Sequence, residues 1–380
     1  MQTENKPHIT VLIPTYNRSE FIAECIDSIL DQTLPASQII VVNDGSTDNT
    51  KELCASYGNK IDYFEIDQSG KPKALNFGLT KVTGNYIWIF DDDDVALPNA
   101  LQRLVEPLEK SPGSGFSYCT FYKTTTADHS KQIGNIISEF PIPDLKKRGM
   151  LIPLLESNYL GGASLFARTS CYHEVGPFDP QLIRSQDYEM AIKIVRRFSG
   201  VRVEGGPIFH YRQHEGIRGT EKNQFEAKHI GEKWLTYDQK FFRALYRSIS
   251  LEEYLTPGLS LKGNERQALL QRINIMASKL LIPEMINDLY NLIHLNETRS
   301  FSKEEQTIIE DMINRNLYAG SVSSYYFSDF FKAVNHLSAS SQCISMLRKY
   351  AFQILIKRLN GKSGLREVLS NIRLIFYLYS

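Results

Sequence analysis

The stretch NYIWIFDDDDVALP, residues 85–98, joins two opposed patterns. The run Tyr86 to Phe90, β-branched and aromatic, reads as a buried strand. It ends in four consecutive carboxylates, Asp91 to Asp94. Close like charges repel and raise one another's pKa unless a cation neutralises them. The plain alternative is a solvated acidic turn.

Upstream, the same strand pattern alternates with helical ones. HITVLIP (8–14) is strand-like, and in EFIAECIDSIL (20–30) Phe21, Ile22, Cys25, Ile26, Ile29 and Leu30 fall on one helical face. QIIVVNDG (38–45) is a second apolar run. It leads into STDNTKELCASYG (46–58), with Ser46 or Thr47 as the expected N-cap and Gly58 as the stop. IDYFEI (61–66) and KPKALNFGLTKVTG (71–84) repeat the alternation before Tyr86. Strands and helices of these lengths imply βαβ units, hence an α/β, Rossmann-like, mostly parallel sheet flanked by helices. Beyond residue 223 the strand signals nearly vanish, and segments such as NERQALLQRINIMASKLLI (264–282) and SKEEQTIIEDMINRNL (302–317) are helical. The expected division is a catalytic domain over 1–222 and an all-helical C-terminal domain over 223–380.

Composition narrows the function classes. The 380 residues are 42% hydrophobic and 23% charged with a formal net charge of zero, which does not advertise nucleic acid as a partner. The five cysteines are scattered and never form a C-x-x-C pair, which favours a reducing compartment and no structural zinc. The N-terminal residues lack a basic segment followed by an apolar one, and nothing approaches the roughly 18 apolar residues of a membrane span. A cytoplasmic location is expected.

In an open parallel sheet the ligand crevice lies at the carboxyl ends of the strands. Three polar clusters follow strands here: PTYNR (14–18), NDGSTD (43–48) and DDDD (91–94). Parallel strands would deliver all three to one edge, although Asp, Asn and Ser also serve as ordinary helix caps in such loops. Hard carboxylate oxygens suit Mg²⁺ or Mn²⁺, which bind through one or two carboxylates plus substrate phosphates. The sequence has no G-x-x-x-x-G-K-[ST] loop and no G-x-G-x-x-G after its first strand, which argues against an NTPase or a dinucleotide dehydrogenase.

ITVLIPTYNRSEFIAECIDSILDQT, IIVVNDGSTDNT, KALNFGL, GNYIWIFDDDDVALPNAL and GGASLFARTSCYHEVGPFDPQLIRSQDYEMAIKI resemble, in order, the motifs of the inverting nucleotide-sugar glycosyltransferases of family 2, which have the GT-A fold. The resemblance covers about residues 8–215. It implies a loop of Pro14, Thr15, Tyr16 and Arg18 around the nucleotide, with Asp44 accepting an N–H of the base. A carboxylate acceptor favours uracil or thymine, hence a UDP- or dTDP-sugar donor. Asp91 takes the ribose or metal-side position, and Asp93 is the best direct ligand for Mn²⁺ or Mg²⁺. Asp92 stands where the family often has a small residue, so which aspartates bind metal stays open. Lys71 and Lys73 lie on a segment that lines the donor pocket, or are simply solvated. Asp187 corresponds to the general base that deprotonates the acceptor hydroxyl, with Gln186 replacing the usual Glu; its alternative is an Asp that complements a helix dipole. In FHYRQHEG (209–216), His210, Arg212 and His214 alternate as on one strand face, and His214 matches a residue that can complete the metal shell.

The implied reaction is a single displacement with inversion onto a glycan or lipid-linked hydroxyl, in bacterial surface polysaccharide synthesis. A sugar nucleotidyltransferase and a non-catalytic nucleotide-sugar-binding module are the competing classes; the first usually has a Gly-rich basic loop that PTYNRSE lacks. From residue 346 to 380, Arg348, Lys349, Lys357, Arg358, Lys362, Arg366 and Arg373 stand against Glu367 alone, a net +6, interleaved with apolar residues. This suits peripheral contact with an anionic membrane face, or an ordinary packed helix, or a homo-oligomer surface.

Overall fold

The computed structural model describes residues 6–127, 132–214, 230–295, 298–318, 321–339 and 341–359. The chain runs through β1 (Ile9–Thr15), α1 (Ile22–Leu30), β2 (Gln38–Asn43), α2 (Thr50–Ser56), β3 (Asp62–Glu65), α3 (Lys71–Leu79), β4 (Tyr86–Ile89), β5 (Val95–Ala96) and α4 (Ala100–Lys110). It continues with β6 (Ser114–Tyr118), β7 (Tyr122–Thr126), β8 (Ile133–Glu139), α5 (Leu151–Glu156), β9 (Leu165–Arg168), α6 (Thr169–Val175), α7 (Gln186–Val195), β10 (Ser199–Arg202) and β11 (Phe209–Arg212). Helices α8 (Ile230–Ser248), α9 (Glu265–Ser278), α10 (Ile282–Leu295), α11 (Lys303–Tyr318), α12 (Ser321–Leu337) and α13 (Gln342–Leu359) follow.

These elements form two compact units. One comprises Met1–Pro143 and Asn158–Tyr237, the other Asp144–Ser157 and Asp238–Ser380. The boundary read from sequence was residue 222; the short segment with α5 belongs to the helical unit, which no local strand or helix pattern announces.

In the first unit a seven-stranded sheet has the order β10-β6-β9-β4-β1-β2-β3. All its pairings are parallel except those of β9, which runs antiparallel to both β4 and β6. β1 is buried at every position, as a central strand covered on both faces must be. Ile22, Cys25, Ile26 and Ile29 of α1 are its buried residues, the spacing of a single apolar stripe. A second sheet, β5-β11-β7-β8, sets β11 antiparallel to β5 with His210 opposite Val95.

The core ends where the acidic run begins. Trp88 and Phe90 pack with ring centroids 4.4 Å apart, Phe209 lies 5.8 Å from Phe90, and Phe121 lies 5.0 Å from Phe209. Trp88, Phe90 and Phe209 are fully buried. The turn Asp91–Asp94 is therefore anchored on one side by an aromatic cluster and on the other by β5. One local expectation is corrected: α2 starts at Thr50, not after Ser46 or Thr47, because the Asp48 carboxylate takes the Thr50 N–H at 3.1 Å.

In the second unit, α9 buries residues around most of its circumference, including Arg266, Gln271 and Asn274. A helix apolar on one stripe only would not do this; α9 is the element around which the unit packs. No strand occurs among the described residues beyond β11, and no described helix is long and apolar enough to cross a membrane. The basic stretch expected over 346–380 lies largely outside the described residues.

Candidate active site

The three strand-end clusters meet. β1, β2 and β4 are neighbours in parallel register, so the loops that follow them share one edge. Asn17, at φ 50°, donates its N–H to Ser46 Oγ at 2.9 Å and accepts the Thr47 N–H at 2.8 Å. The Arg18 N–H reaches Thr50 Oγ1 at 3.0 Å and the Ser19 N–H reaches Asp48 Oδ2 at 3.0 Å. Burial works against the Asp48 charge, but these hydrogen bonds with Thr50 and Ser19 win and hold its carboxyl below the usual range. Pro14 lies inside β1, buried and paired in register with Val42, so it belongs to the sheet more than to the loop. Thr15 is buried and Tyr16 half-buried at the strand end.

Asp44 is 3% exposed, and both its oxygens are engaged. Oδ1 accepts the Ser69 N–H at 2.7 Å and its hydroxyl at 3.1 Å, while Oδ2 accepts the Gly70 N–H at 2.8 Å. Burial pushes the carboxyl up, and these donors offset it only in part. The residue therefore fastens the loop before α3 to the end of β2. Gly45 permits this: it sits at φ +73°, and a Cβ there would come within 2.9 Å of the Gln68 backbone nitrogen. Lys73 is exposed at the start of α3, where its charge is felt by Asp44.

The acidic turn is closed by the Asp94 N–H on the Asp91 carbonyl at 3.2 Å. Each carboxylate has a different neighbour. Asp91 Oδ1 takes Lys71 Nζ at 2.6 Å. Arg18 Nε lies 3.6 Å from Asp92 and 3.9 Å from Asp93, and His214 Nε2 lies 3.0 Å from Asp93 Oδ2. Asp94 is fully buried; Oδ1 accepts the Arg212 N–H at 3.1 Å and Oδ2 has no partner among the described residues. Burial, opposed by Arg18 and reinforced by Asp93, pushes the Asp92 carboxyl up to about 7. Burial and the charges of Asp93 and Asp91 push Asp94 well above the carboxylate range. Burial disfavours the Lys71 ammonium, but Asp91 outweighs it and raises the amine above its ordinary value.

Oxygens of Asp91, Asp93 and Asp94 lie within 4.8 Å of one another. Arg18 and Lys71 lie beside Asp92 and Asp91, and the raised pKa of Asp94 marks a place where a further negative charge is disfavoured. Convergent hard oxygens, an unpartnered buried Asp94 oxygen and raised carboxyl pKa values fit a divalent ion such as Mg²⁺ or Mn²⁺. Asp91 and Asp93 were expected in that set. Asp94, left open with the other aspartates, joins them in the cluster, and His214, also expected, lies 3.0 Å from Asp93 Oδ2.

One further residue, Glu24, was missed as part of the site, and it enters through Arg212. Arg212 is buried, stacks over the Phe21 ring at 4.9 Å, pairs with Glu24 of α1, and donates Nε–H to the Asp93 carbonyl at 2.7 Å. It ties the acidic turn to the first helix. The alternating pattern of 209–216 marked Arg212, but Glu24 carried no signal.

Asp187 is the second residue of α7, half-buried, and the preceding Ser185 adopts φ 58°. Its Oδ2 accepts the Gly162 N–H at 3.1 Å and Asn158 Nδ2 at 3.4 Å. The donor loop is pinned to β4 by Trp88 Nε1 on the Ala163 carbonyl at 2.7 Å. Asp187, Lys71 and Asp91 line one cleft, together with Leu75, Ile89 and Gln186.

Comparisons with known proteins agree with this geometry. The sequence profile of glycosyl transferase family 2 matches residues 10–173. An uncharacterised glycosyltransferase of Rickettsia typhi is 31% identical over 227 residues, which cover 59% of this chain and 70% of that protein. One of Rickettsia felis is 34% identical over 192 residues, covering 50% of this chain but only 32% of the relative. Residues 1–349 of S. aureus TarS, solved in complex with UDP-GlcNAc, share the fold with a TM-score of 0.51 at 16% identity, over 97% of this chain and 90% of that one. With the profile match, the Rickettsia typhi relative and the strand-end motifs in register, this chain belongs to glycosyl transferase family 2.

Proposed function

We propose that the chain transfers a sugar from a UDP- or dTDP-sugar to a hydroxyl of a glycan or lipid-linked acceptor, by a single displacement with inversion, in bacterial surface polysaccharide synthesis. The observation that carries this reading is the shared cleft of Asp187 with the Lys71–Asp91 pair. One carboxylate faces, across a narrow space, the end of the sheet where the nucleotide-binding motifs converge.

Asp91, Asp93 and Asp94 would hold Mn²⁺ or Mg²⁺, which supplies neutralisation of the leaving diphosphate when bound. Lys71 adds a cation at the same place. Asp44 and the 14–18 loop accept the base and ribose, with Arg18 next to the acidic turn. Asp187, oriented by the Gly162 N–H and the Asn158 amide, draws the proton from the acceptor hydroxyl. TarS was solved with UDP-GlcNAc, which supports a uridine donor for a chain of the same fold. We assign catalysis to 1–222, and to 223–380 an acceptor, oligomer or membrane-surface role, with action at the cytoplasmic face of a membrane.

The test is transfer from UDP-sugars to lipid-linked or glycan acceptors with Mn²⁺, the anomeric configuration of the product being read by NMR. Inverted product is expected, and Asp93→Ala should lose Mn²⁺-dependent UDP binding in calorimetry. Retained configuration, or equal UDP affinity with excess chelator, overturns the corresponding part.

A further inference from the structure

Within the helical unit, α5 is held by its last residue. Glu156 is 8% exposed, and a carboxylate so buried must be paired. Gln271 Nε2 donates to its Oε1 at 2.9 Å and Asn274 Nδ2 at 3.4 Å, both from α9, while Arg148 donates to both its oxygens. Gln271 and Asn274 are buried too, so two inward amides of α9 are turned to this one carboxylate. The Ser157 N–H then closes the helix on the Pro153 carbonyl at 3.0 Å.

Ser157 is the last residue of that segment, and the chain resumes the catalytic unit at Asn158. Asn158 opens the loop that holds Asp187. The far end of this loop is tied to the sheet by Trp88 on the Ala163 carbonyl, and Ser164 Oγ donates to the Gly161 carbonyl at 2.7 Å. The near end lacks such a tie among the described residues: Asn158 gives its Nδ2 to Asp187, but its Oδ1 is buried with no partner. No donor there orients the amide from its carbonyl side. Glu156 stands two residues upstream, and two residues of extended chain reach at most about 7 Å. A shift of α5 is therefore passed on to Asn158 with little slack.

We propose that Glu156 is a positioning residue for sugar transfer: by locking α5 to α9 it fixes, through Ser157, where the Asn158 amide meets Asp187. The inference rests on the reading of Asp187 as the base. Two donors on Oδ2, the Gly162 N–H and the Asn158 amide, hold the carboxylate where one would let it swing. The helical unit thus sets the rate of proton abstraction through the covalent chain, and its hold on α5 adds nothing to the binding of the nucleotide.

The experiment compares the full chain with Glu156→Met, which keeps the length of the side chain and removes both oxygens, and with two glycines inserted after Ser157, which slackens the tie and replaces no side chain. The readouts are steady-state transfer from a UDP-sugar to a glycan acceptor with Mn²⁺, UDP affinity by calorimetry, and melting curves. Each change should lower kcat about 10–100-fold, the scale of a misplacement of about 1 Å, with donor KM and UDP affinity unchanged. Placed on Asp187→Asn, neither should lower the rate further, because the group it positions is already gone. A general loss of stability would lower the rate in both backgrounds alike. Parent turnover in the folded variants overturns the inference and means that the buried Tyr159 and Leu160 place Asn158 by themselves. A further rate loss on Asp187→Asn, or a raised donor KM with kcat intact, overturns it as well, and in all these cases the sugar-transfer reading stands. Asp187→Asn turning over at the parent rate removes the base and this inference together, and so does a parent chain that transfers from no UDP-sugar. Should Glu156→Met not fold, the insertion decides alone.

Discussion

Asp187 owes its geometry to its immediate neighbours more than to its helix. A carboxylate in a first turn is favoured by the helix dipole wherever it points. Here it is aimed: the Gly162 N–H and the Asn158 amide hold one oxygen, Oδ2, and the cleft lies beside it. Gly161 matters for closeness, since a Cβ at that position would lie 2.9 Å from Asn158 Nδ2 and 3.4 Å from Asp187 Oδ2. The two roles open to such a residue separate cleanly by mutation. As a base, its charge is needed when the acceptor proton moves and hardly at all for holding the donor. Asp187→Asn should therefore keep donor affinity and melting temperature while turnover falls on the order of 10²–10⁴-fold. A residue that only complements the dipole would cost about 0.3–1 kcal/mol of stability and leave the rate nearly intact. Transfer rate paired with a melting curve distinguishes them; a variant that melts lower yet turns over at the parent rate removes Asp187 from the mechanism.

At the scale of elements, the acidic turn depends on β11 and α1 as much as on the strand that leads into it. Arg212 spans the gap, with its backbone N–H on Asp94, its guanidinium on the Asp93 carbonyl and on Glu24, and its plane over Phe21. Arg212→Met keeps the apolar volume but strands Glu24 and a buried carbonyl. Removing one partner of a buried pair costs about 3–5 kcal/mol. Urea unfolding should show that loss, and Mn²⁺-dependent UDP affinity should fall as the turn loosens. Unchanged UDP affinity in a destabilised variant would mean that the turn holds its shape without the strut. This contact also marks the limit of sequence reading. The alternation of strands and helices, the convergence of three polar loops and the place of Asp187 in a first turn are local patterns, and periodicity exposes them. Glu24 and Arg212 are 188 residues apart, and nothing in either neighbourhood names the other. The antiparallel course of β9 and the two oxygens of Asp44 given to Ser69 and Gly70 are equally products of long-range packing. Asp94 looked like one more member of an acidic run until its surroundings distinguished it: its oxygen converges with those of Asp91 and Asp93, whereas Asp92 lies beside Arg18.

The molecule as a whole balances its charges, yet each unit keeps some of them inside. In the helical unit Arg266 and Glu305 are both fully buried, joined at 2.9 and 2.8 Å, and Arg299 adds a second guanidinium to the same carboxylate at 3.1 Å. The Ser302 N–H donates to it as well, at 2.7 Å. Burial opposes the Glu305 charge, but Arg266, Ser302 and Arg299 outweigh it and hold the carboxyl below its ordinary value. A carboxylate with a lowered folded pKa binds fewer protons than in the unfolded chain. Its contribution is therefore complete above the unfolded value of about 4.3 and is lost as pH falls through the lower folded value. Glu305→Gln should cost about 3–5 kcal/mol at pH 7, toward the lower end because Arg266 keeps the carbonyls of Arg299 and Ser300. Two units need not melt together. The measurement is accordingly amide hydrogen exchange in α9 and α11 at pH 7, comparing the parent chain with the variant, together with thermal unfolding from pH 7 to pH 3. The gap between the two proteins should close as the acid limb is descended. A deficit as large at pH 3 as at pH 7 would assign the loss to packing around the amide, and the ion pair would not be what holds α9 and α11 together.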